Sequence, residues 1–232
     1  MLDDVWQSGV FPTDRGAFRA ELLAKHRVAE RCFLLDYIQA GSVGAELGVF
    51  TGLFSSVLAR QAKVRQVTFV DPWWLAFGET YPSWGAYTAH GALSTRVAHQ
   101  LATRRVARPG LPGRIIEPAF SYDWLQAQPD YSLDWVYLDS THTYEGTKAE
   151  LELLDAKIKP DGVILGDDWQ QNRAARHHGV CLAVNEFVKA CDFEFALSGV
   201  ATQWVLRRPA QDRSAMPMIV KDPLWSAQAA IS

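Results

Sequence analysis

The sequence predicts an α/β fold in which a doubly wound, mostly parallel sheet carries helices on both faces. Three observations predict it: short apolar runs that each stop at an acid or a glycine, helix-period segments between them, and a length of 232 residues, enough for one full core. Arg15 to Ala40 has few breakers and sets Phe18, Leu22, Leu23, Val28, Phe33, Leu34, Tyr37 and Ile38 at helical intervals, which predicts one or two amphipathic helices ending at Gly41. Ser42 to Val49 is an apolar run ending in a glycine turn, and Leu53 to Ala62 then has helical character. Gln66 to Val70 is a second strand stopped by Asp71-Pro72, so the pattern is a parallel βαβ unit.

From Trp73 to Gly113 the sequence changes character. Trp73, Trp74, Phe77, Tyr81, Trp84 and Tyr87 crowd together, broken by Gly78, Pro82 and Gly85, and a helix is expected from about His90 to Val106. Arg114 to Glu117 and Leu133 to Leu138 are the third and fourth strands, the latter ending at Asp139. Glu145 to Lys157 gives a helix closed by Lys159-Pro160-Asp161-Gly162, and Val163 to Leu165 is a fifth strand running into Gly166-Asp167-Asp168-Trp169. Val180 to Ala190 is helical, and Phe193 to Ala196 with Thr202 to Arg207 form a closing antiparallel hairpin around Ser198-Gly199. The sum is a seven-stranded sheet. The expected divisions are an N-terminal helical segment, 1–41, a ligand-binding domain, 42–208, with an aromatic-rich insertion, 73–113, and a tail, 209–232.

Composition narrows the function classes. With 23 Lys+Arg against 26 Asp+Glu the formal net charge is −3, which argues against a protein built to grip nucleic acid or an anionic membrane. The run Arg104, Arg105, Arg108 is too short to change that. Met1 to Gly9 lacks the pattern of a secretory leader, and no stretch approaches 18 uninterrupted apolar residues. Cys32, Cys181 and Cys191 are odd in number and form no CxxC pair, so neither a disulfide framework nor a thiolate zinc site is expected. A cytoplasmic location follows as the expectation, and a homo-oligomer only as a base rate.

In such sheets ligands bind beyond the carboxyl ends of the strands, where strand order reverses. Glu46-x-Gly48-x-x-x-Gly52 lies at the first such end: glycines let the backbone pass close to a ligand, and the next helix offers unpaired N–H groups. Asp71 is placed to accept hydrogen bonds from ribose hydroxyls. A carboxylate at Glu46, where dinucleotide sites carry a glycine, would repel a pyrophosphate and suits a cationic ligand instead. Read plainly, the same residues are a strand–helix turn with an exposed acid.

Asp139, Asp167 and Asp168 are the sharper signal. A 28-residue separation between Asp139 and Asp167 fits one helical crossover, so both can end neighbouring strands about 4.8 Å apart and share a cation. Oxygen ligands alone favour Mg²⁺, Mn²⁺ or Ca²⁺ over zinc, and three acids at one sheet edge repel without a cation. The plain alternative is that these acids cap helices. His142, three residues past Asp139, has the pKa to take a proton from a metal-acidified hydroxyl, or is a helix-start histidine bonded to backbone. His177-His178 is a second pair, more simply read as exposed loop. The Trp73–Tyr87 cluster reads as a lid or acceptor pocket, with core packing as the alternative.

Ala45 to Gly52, as AELGVFTG, resembles the first motif of class I S-adenosylmethionine-dependent methyltransferases, whose sheet is Rossmann-like. Val136 to Glu145, VYLDSTHTYE, then Lys159 to Trp169, KPDGVILGDDW, and the downstream Gly179 to Phe187 are similar to a narrower branch, the metal-dependent sugar O-methyltransferases of antibiotic biosynthesis, of macrocin, mycinamicin and novobiocin type. The resemblance spans about Val43 to Arg207. It implies that Glu46, Gly48 and Gly52 surround the methionine part of S-adenosylmethionine, that Asp71 holds the ribose, and that Ser121 approaches the adenine. It further implies Asp139, Asp167 and Asp168 as ligands of a divalent cation, Mg²⁺ first, and His142 as the base; other members carry an Asp in that loop. The implied activity is methylation of one hydroxyl of a vicinal diol, on a sugar or, as runner-up, a catechol. Rivals from other classes are a nicotinamide oxidoreductase and a non-catalytic binding protein on the same sheet.

Overall fold

The computed structural model describes residues 27–61, 63–107 and 112–209. Most of the expected N-terminal segment, 1–41, and nearly all of the tail, 209–232, lie outside the described residues. Five strands run parallel: β1 Val43–Leu47, β2 Gln66–Asp71, β3 Arg114–Pro118, β4 Leu133–Leu138 and β5 Ile158–Gly166. β6, Glu194–Val200, and β7, Gln203–Arg207, close the sheet as an antiparallel hairpin, with β7 inserted between β5 and β6. The order is β3-β2-β1-β4-β5-β7-β6, so the chain reverses direction across the sheet between β1 and β4. This is the seven-stranded, mostly parallel architecture expected from the sequence.

The helices are α1 Leu53–Gln61, α2 Trp74–Phe77, α3 Thr95–Val106, α4 Ser121–Ala127, α5 Tyr144–Lys157 and α6 His178–Ala190. Residues 27–31 are helical and run into a 3₁₀ segment, Cys32–Tyr37. Central strands are apolar on both faces because helices cover both. On β4, Trp135 and Tyr137 join Phe54, Leu58, Phe69 and Ala102 on one side, while Val136 and Leu138 join Leu151, Leu154, Val184 and Phe187 on the other. Helix α5 starts where Thr143 accepts a hydrogen bond from the Gly146 N–H at 3.2 Å, with Glu145 in its first turn and Lys157 in its last. Among the described residues no helix is long and apolar enough to cross a membrane.

Three local readings change. Lys159–Gly162 is not a turn before β5 but an irregular stretch within it: β4 advances from Leu133 to Trp135 while β5 advances from Ile158 to Val163. The hairpin does not turn at Ser198-Gly199; Gly199 sits where the β6–β7 register slips. The turn is Ala201-Thr202, both at positive φ (48° and 62°), the backbone that matches strand twist in a two-residue hairpin. Helix α3 begins at Thr95, because Ala89 and His90 take positive φ and break the helix expected from residue 90. Helix α4 was not expected, since its seven residues are too few for a clear period.

Candidate active site

The ends of β1, β2 and β4 meet around a cleft of about 1100 Å³, walled by Glu46, Gly48, Asp71, Ser121, Asp139 and His142 among others. Gly48 turns the chain at φ 96°, and a Cβ on it would stand 1.9 Å from the Asp139 carbonyl oxygen. The loops after β1 and β4 therefore touch backbone to backbone, which only glycine permits. Glu46 is buried, and its Oε2 has no hydrogen-bond partner. Burial pushes its carboxyl well above the ordinary range, against the Ser55 hydroxyl and the Arg31 cation, which favour the charged form.

Asp71 does more than face the cleft. Its Oδ2 accepts from the N–H groups of Val49 (2.9 Å) and Phe50 (2.8 Å), and its Oδ1 accepts from the Trp73 N–H at 2.9 Å. The carboxylate thus clips the loop after β1 to the end of β2, holding Phe50 at a positive φ of 53°. Trp73 donates from Nε1 to the Phe50 carbonyl at 2.9 Å. Gly52 is not brought to the cleft wall. A Cβ there would lie 2.7 Å from Ala102 Cα, so the glycine lets α3 approach α1.

The three aspartates converge, with one oxygen of each within 4.8 Å of the others. They do not stand alone. Arg31 donates to Asp139 Oδ2 at 2.8 Å and also to Asp167 Oδ2, and Arg27 donates to Asp167 Oδ2 at 2.7 Å. Thr202 and Gln203, at the hairpin turn, donate to Asp167 Oδ1. Asp167 is sealed beneath these donors, whereas Asp139 and Asp168 face the cleft. The expectation that the acids need a cation is met in this arrangement by two guanidinium groups. Burial opposes the Arg31 charge, and Asp139, the Tyr137 hydroxyl and Asp167 outweigh it, so its pKa is raised. Asp139 is pushed up to about 6, by burial first, with Asp167 adding and Arg31 opposing.

His142 and Asp168 both have positive φ, 53° and 60°, an unusual backbone for side chains and one that concentrates at functional sites. His142 Nδ1 lies 2.9 Å from Asp168 Oδ2, and its Nε2 lies 3.9 Å from Asp139 Oδ1. Burial lowers the His142 pKa, but the hydrogen bond it donates to Asp168 and the charge of Asp139 outweigh it, and the net direction is upward. The same bond takes Asp168 below the usual range against its own burial.

Ser121 begins α4 at the cleft and donates to buried Glu150 Oε1; Ser140 donates to the same carboxylate at 2.7 Å. The aromatic insertion divides. Trp73 is core, while Phe77, Tyr81, Trp84 and Tyr87 wall the cleft, with Phe50 stacked on Tyr87 at 4.4 Å. Of the histidine pair, His177 reaches the cleft and packs edge-on to His142 at 5.0 Å, whereas His178 Nδ1 meets the Gln170 carbonyl at 2.8 Å. The three cysteines are unpaired.

Residues 44–169 match a family model described as a methyltransferase domain. The chain belongs to that family. Family membership makes it a methyltransferase, with S-adenosylmethionine as the methyl donor. No curated protein matches the sequence. Solved structures share the fold. A Corynebacterium glutamicum protein, 14% identical, covers 90% of this chain and 97% of its own at a TM-score of 0.54. A candidate rRNA methylase of Clostridium thermocellum, 11% identical, covers 78% and 96% at 0.52. A candidate O-methyltransferase of Klebsiella pneumoniae, 16% identical, covers 90% and 96% at 0.50.

The methyltransferase's own residues fit its donor: Glu46 Oε2 is a buried acceptor without a partner, and such groups normally have one. Three carboxylates are also a donor set for a hard divalent cation. For Asp167 to join it, a guanidinium must leave Oδ2. Sequence reasoning missed Arg27, Arg31, Glu150 and Thr202. Only Glu150 carried a signal: it falls on the buried stripe Thr147, Glu150, Leu151, Leu154 of α5, an acid at a core position.

Proposed function

We propose that this methyltransferase moves a methyl group to a hydroxyl oxygen of a small vicinal-diol acceptor, a sugar or a glycosylated molecule, with a divalent cation held by Asp139, Asp167 and Asp168. The observation that carries the reading is the convergence of those three carboxylates with His142 beside the cleft that Glu46 and Gly48 line. A divalent cation there supplies Lewis acidity, lowering the pKa of a bound hydroxyl and fixing its orientation.

The chain's residues do the rest. Glu46 and the backbone of the Gly48 turn bind the donor's amino acid end, and the Asp71 clip keeps that loop in place. Asp168, bonded to His142 Nδ1, orients the imidazole and leaves Nε2 to take the hydroxyl proton. One C–S bond breaks, one C–O bond forms, and the proton passes to His142 and then to solvent. Because the sulfonium is already an activated donor, alignment of oxygen and methyl carbon supplies much of the acceleration. A catechol is the second reading, favoured by the aromatic wall of Phe77, Tyr81, Trp84 and Tyr87, which would stack on a flat ring.

Calorimetric titration with S-adenosylhomocysteine, in Mg²⁺ and in EDTA, tests the donor; transfer of labelled methyl to a panel of diols tests the acceptor. Micromolar binding and Mg²⁺-dependent O-methylation, lost in Asp167→Asn, are expected. Unchanged methylation by Asp167→Asn would remove the metal from the mechanism.

A further inference from the structure

His142, Asp168 and His177 form a second group whose ligand atoms, two ring nitrogens and one carboxylate oxygen, all lie within 4.8 Å of one another. Two imidazoles and a carboxylate are a different donor set from three carboxylates. Nitrogen donors suit Zn²⁺, Co²⁺, Ni²⁺ or Cu²⁺, while Mg²⁺ and Ca²⁺ prefer all-oxygen cages. We infer that His142, Asp168 and His177 form a binding site for a borderline transition-metal cation, distinct in its metal preference from the three-aspartate group and overlapping it at Asp168.

Four features support the inference. The ligands come from three backbone segments, after β4, after β5 and before α6, so their meeting depends on the fold rather than on a local repeat. His142 and Asp168 are each presented from a positive-φ backbone. The His177 ring nitrogens make no hydrogen bond among the described residues, so at His177 a metal would displace only the ring contact with His142, while at Asp168 it would compete with the His142 Nδ1 bond. The His142 side chain is 35% exposed, which gives a cation a path in from the cleft. Since Asp168 belongs to both groups, the two cations compete for it. On the function proposed above, a borderline cation would also capture the base, so it would inhibit; the site itself does not depend on that function.

Co²⁺ is the probe, because imidazole nitrogens and low coordination number give it visible absorption that all-oxygen octahedral Co²⁺ scarcely shows. The full chain is titrated with Co²⁺ alone, then alongside His177→Ala, His177→Gln and Asp139→Asn. Wild type and Asp139→Asn are expected to develop the absorption, and both His177 variants to lose it with affinity reduced at least about tenfold, since loss of even an outer partner of a metal-bound histidine costs 10–100-fold. Excess Mg²⁺ should reduce the wild-type signal. Equal Co²⁺ spectra and affinities in wild type and both His177 variants, or loss of the signal in Asp139→Asn alone, would overturn the inference. Failure of the three-aspartate reading shows separately, as Mg²⁺ affinity unchanged by Asp139→Asn.

Discussion

Replacing Arg31 with Met tests whether a guanidinium and a divalent cation are alternative partners of the same carboxylates. Arg31 is 9% exposed at its side chain, Asp167 0% and Asp139 19%, so the pairs lie inside the protein rather than on its surface. Removing one partner of a buried ion pair leaves an uncompensated charge and costs about 3–5 kcal/mol. The lower end applies, because Arg27 still reaches Asp167. In a chain of this size each kcal/mol shifts Tm by roughly 2–4 °C, so about 3 kcal/mol lowers it by roughly 6–12 °C in EDTA. Arg27→Met should cost at most about 1 kcal/mol, since that side chain is 51% exposed. Mg²⁺ then discriminates. In the Arg31 variant the cation supplies the missing positive charge and has only the half-exposed Arg27 to displace from Asp167, whereas in the wild type it must also break the buried Arg31 bonds. Scanning calorimetry with and without Mg²⁺ should therefore show a larger gain for the variant. Equal gains, or a variant as stable as the wild type in EDTA, would refute the competition between arginine and metal.

In EDTA, NMR titration should find the His142 pKa above 6.5, moving down in Asp168→Asn and down again when Mg²⁺ is added to the wild type, because a carboxylate partner raises it and a nearby cation lowers it. Among the groups that bind protons more tightly folded than unfolded are Asp139, at about 6 against 3.8, and His142, as well as the buried Glu46. The stability they contribute is present at low pH and is lost as pH rises, through about 4 to 6 for Asp139 and then through the raised value of His142. Urea unfolding across that range in EDTA should show the fall, and a flat profile would count against these assignments. Asp71→Asn turns an NH₂ group toward one of three N–H donors; hydrogen bonds to a charged acceptor are worth about 1.5–3 kcal/mol each, so a loss of about 2–4 kcal/mol is expected, with weaker S-adenosylhomocysteine binding. Gly48→Ala forces the loops after β1 and β4 apart, and calorimetry should find donor binding abolished even where circular dichroism still reports the fold.

What was legible in the sequence is what depends on period and position along a strand. Strand ends stop at Asp71, Asp139 and Asp167, the parallel pattern puts those ends on one edge, and the acids duly meet there. What was not legible depends on which distant residue arrives beside them. Arg31 is 108 residues from Asp139 and 136 from Asp167, and nothing in its neighbourhood, on an amphipathic helix, sets it apart from a solvated basic residue. Thr202 reaches Asp167 only because Ala201 and Thr202, both at positive φ, form the hairpin turn where Ser198-Gly199 looked better suited. Gly52 shows a need the motif does not announce: its missing side chain is what lets Ala102 pack against it. The acids alone argue for a metal by repulsion, but the two arginines remove that argument without removing the donors. Mutual repulsion of carboxylates therefore calls for a compensating charge or a bound proton, and does not by itself select a metal ion over a side chain. Here both choices face the same oxygens, so on the proposed metal reading affinity would be set by how much of the Arg31 pairing must be given up, not by the three acids alone.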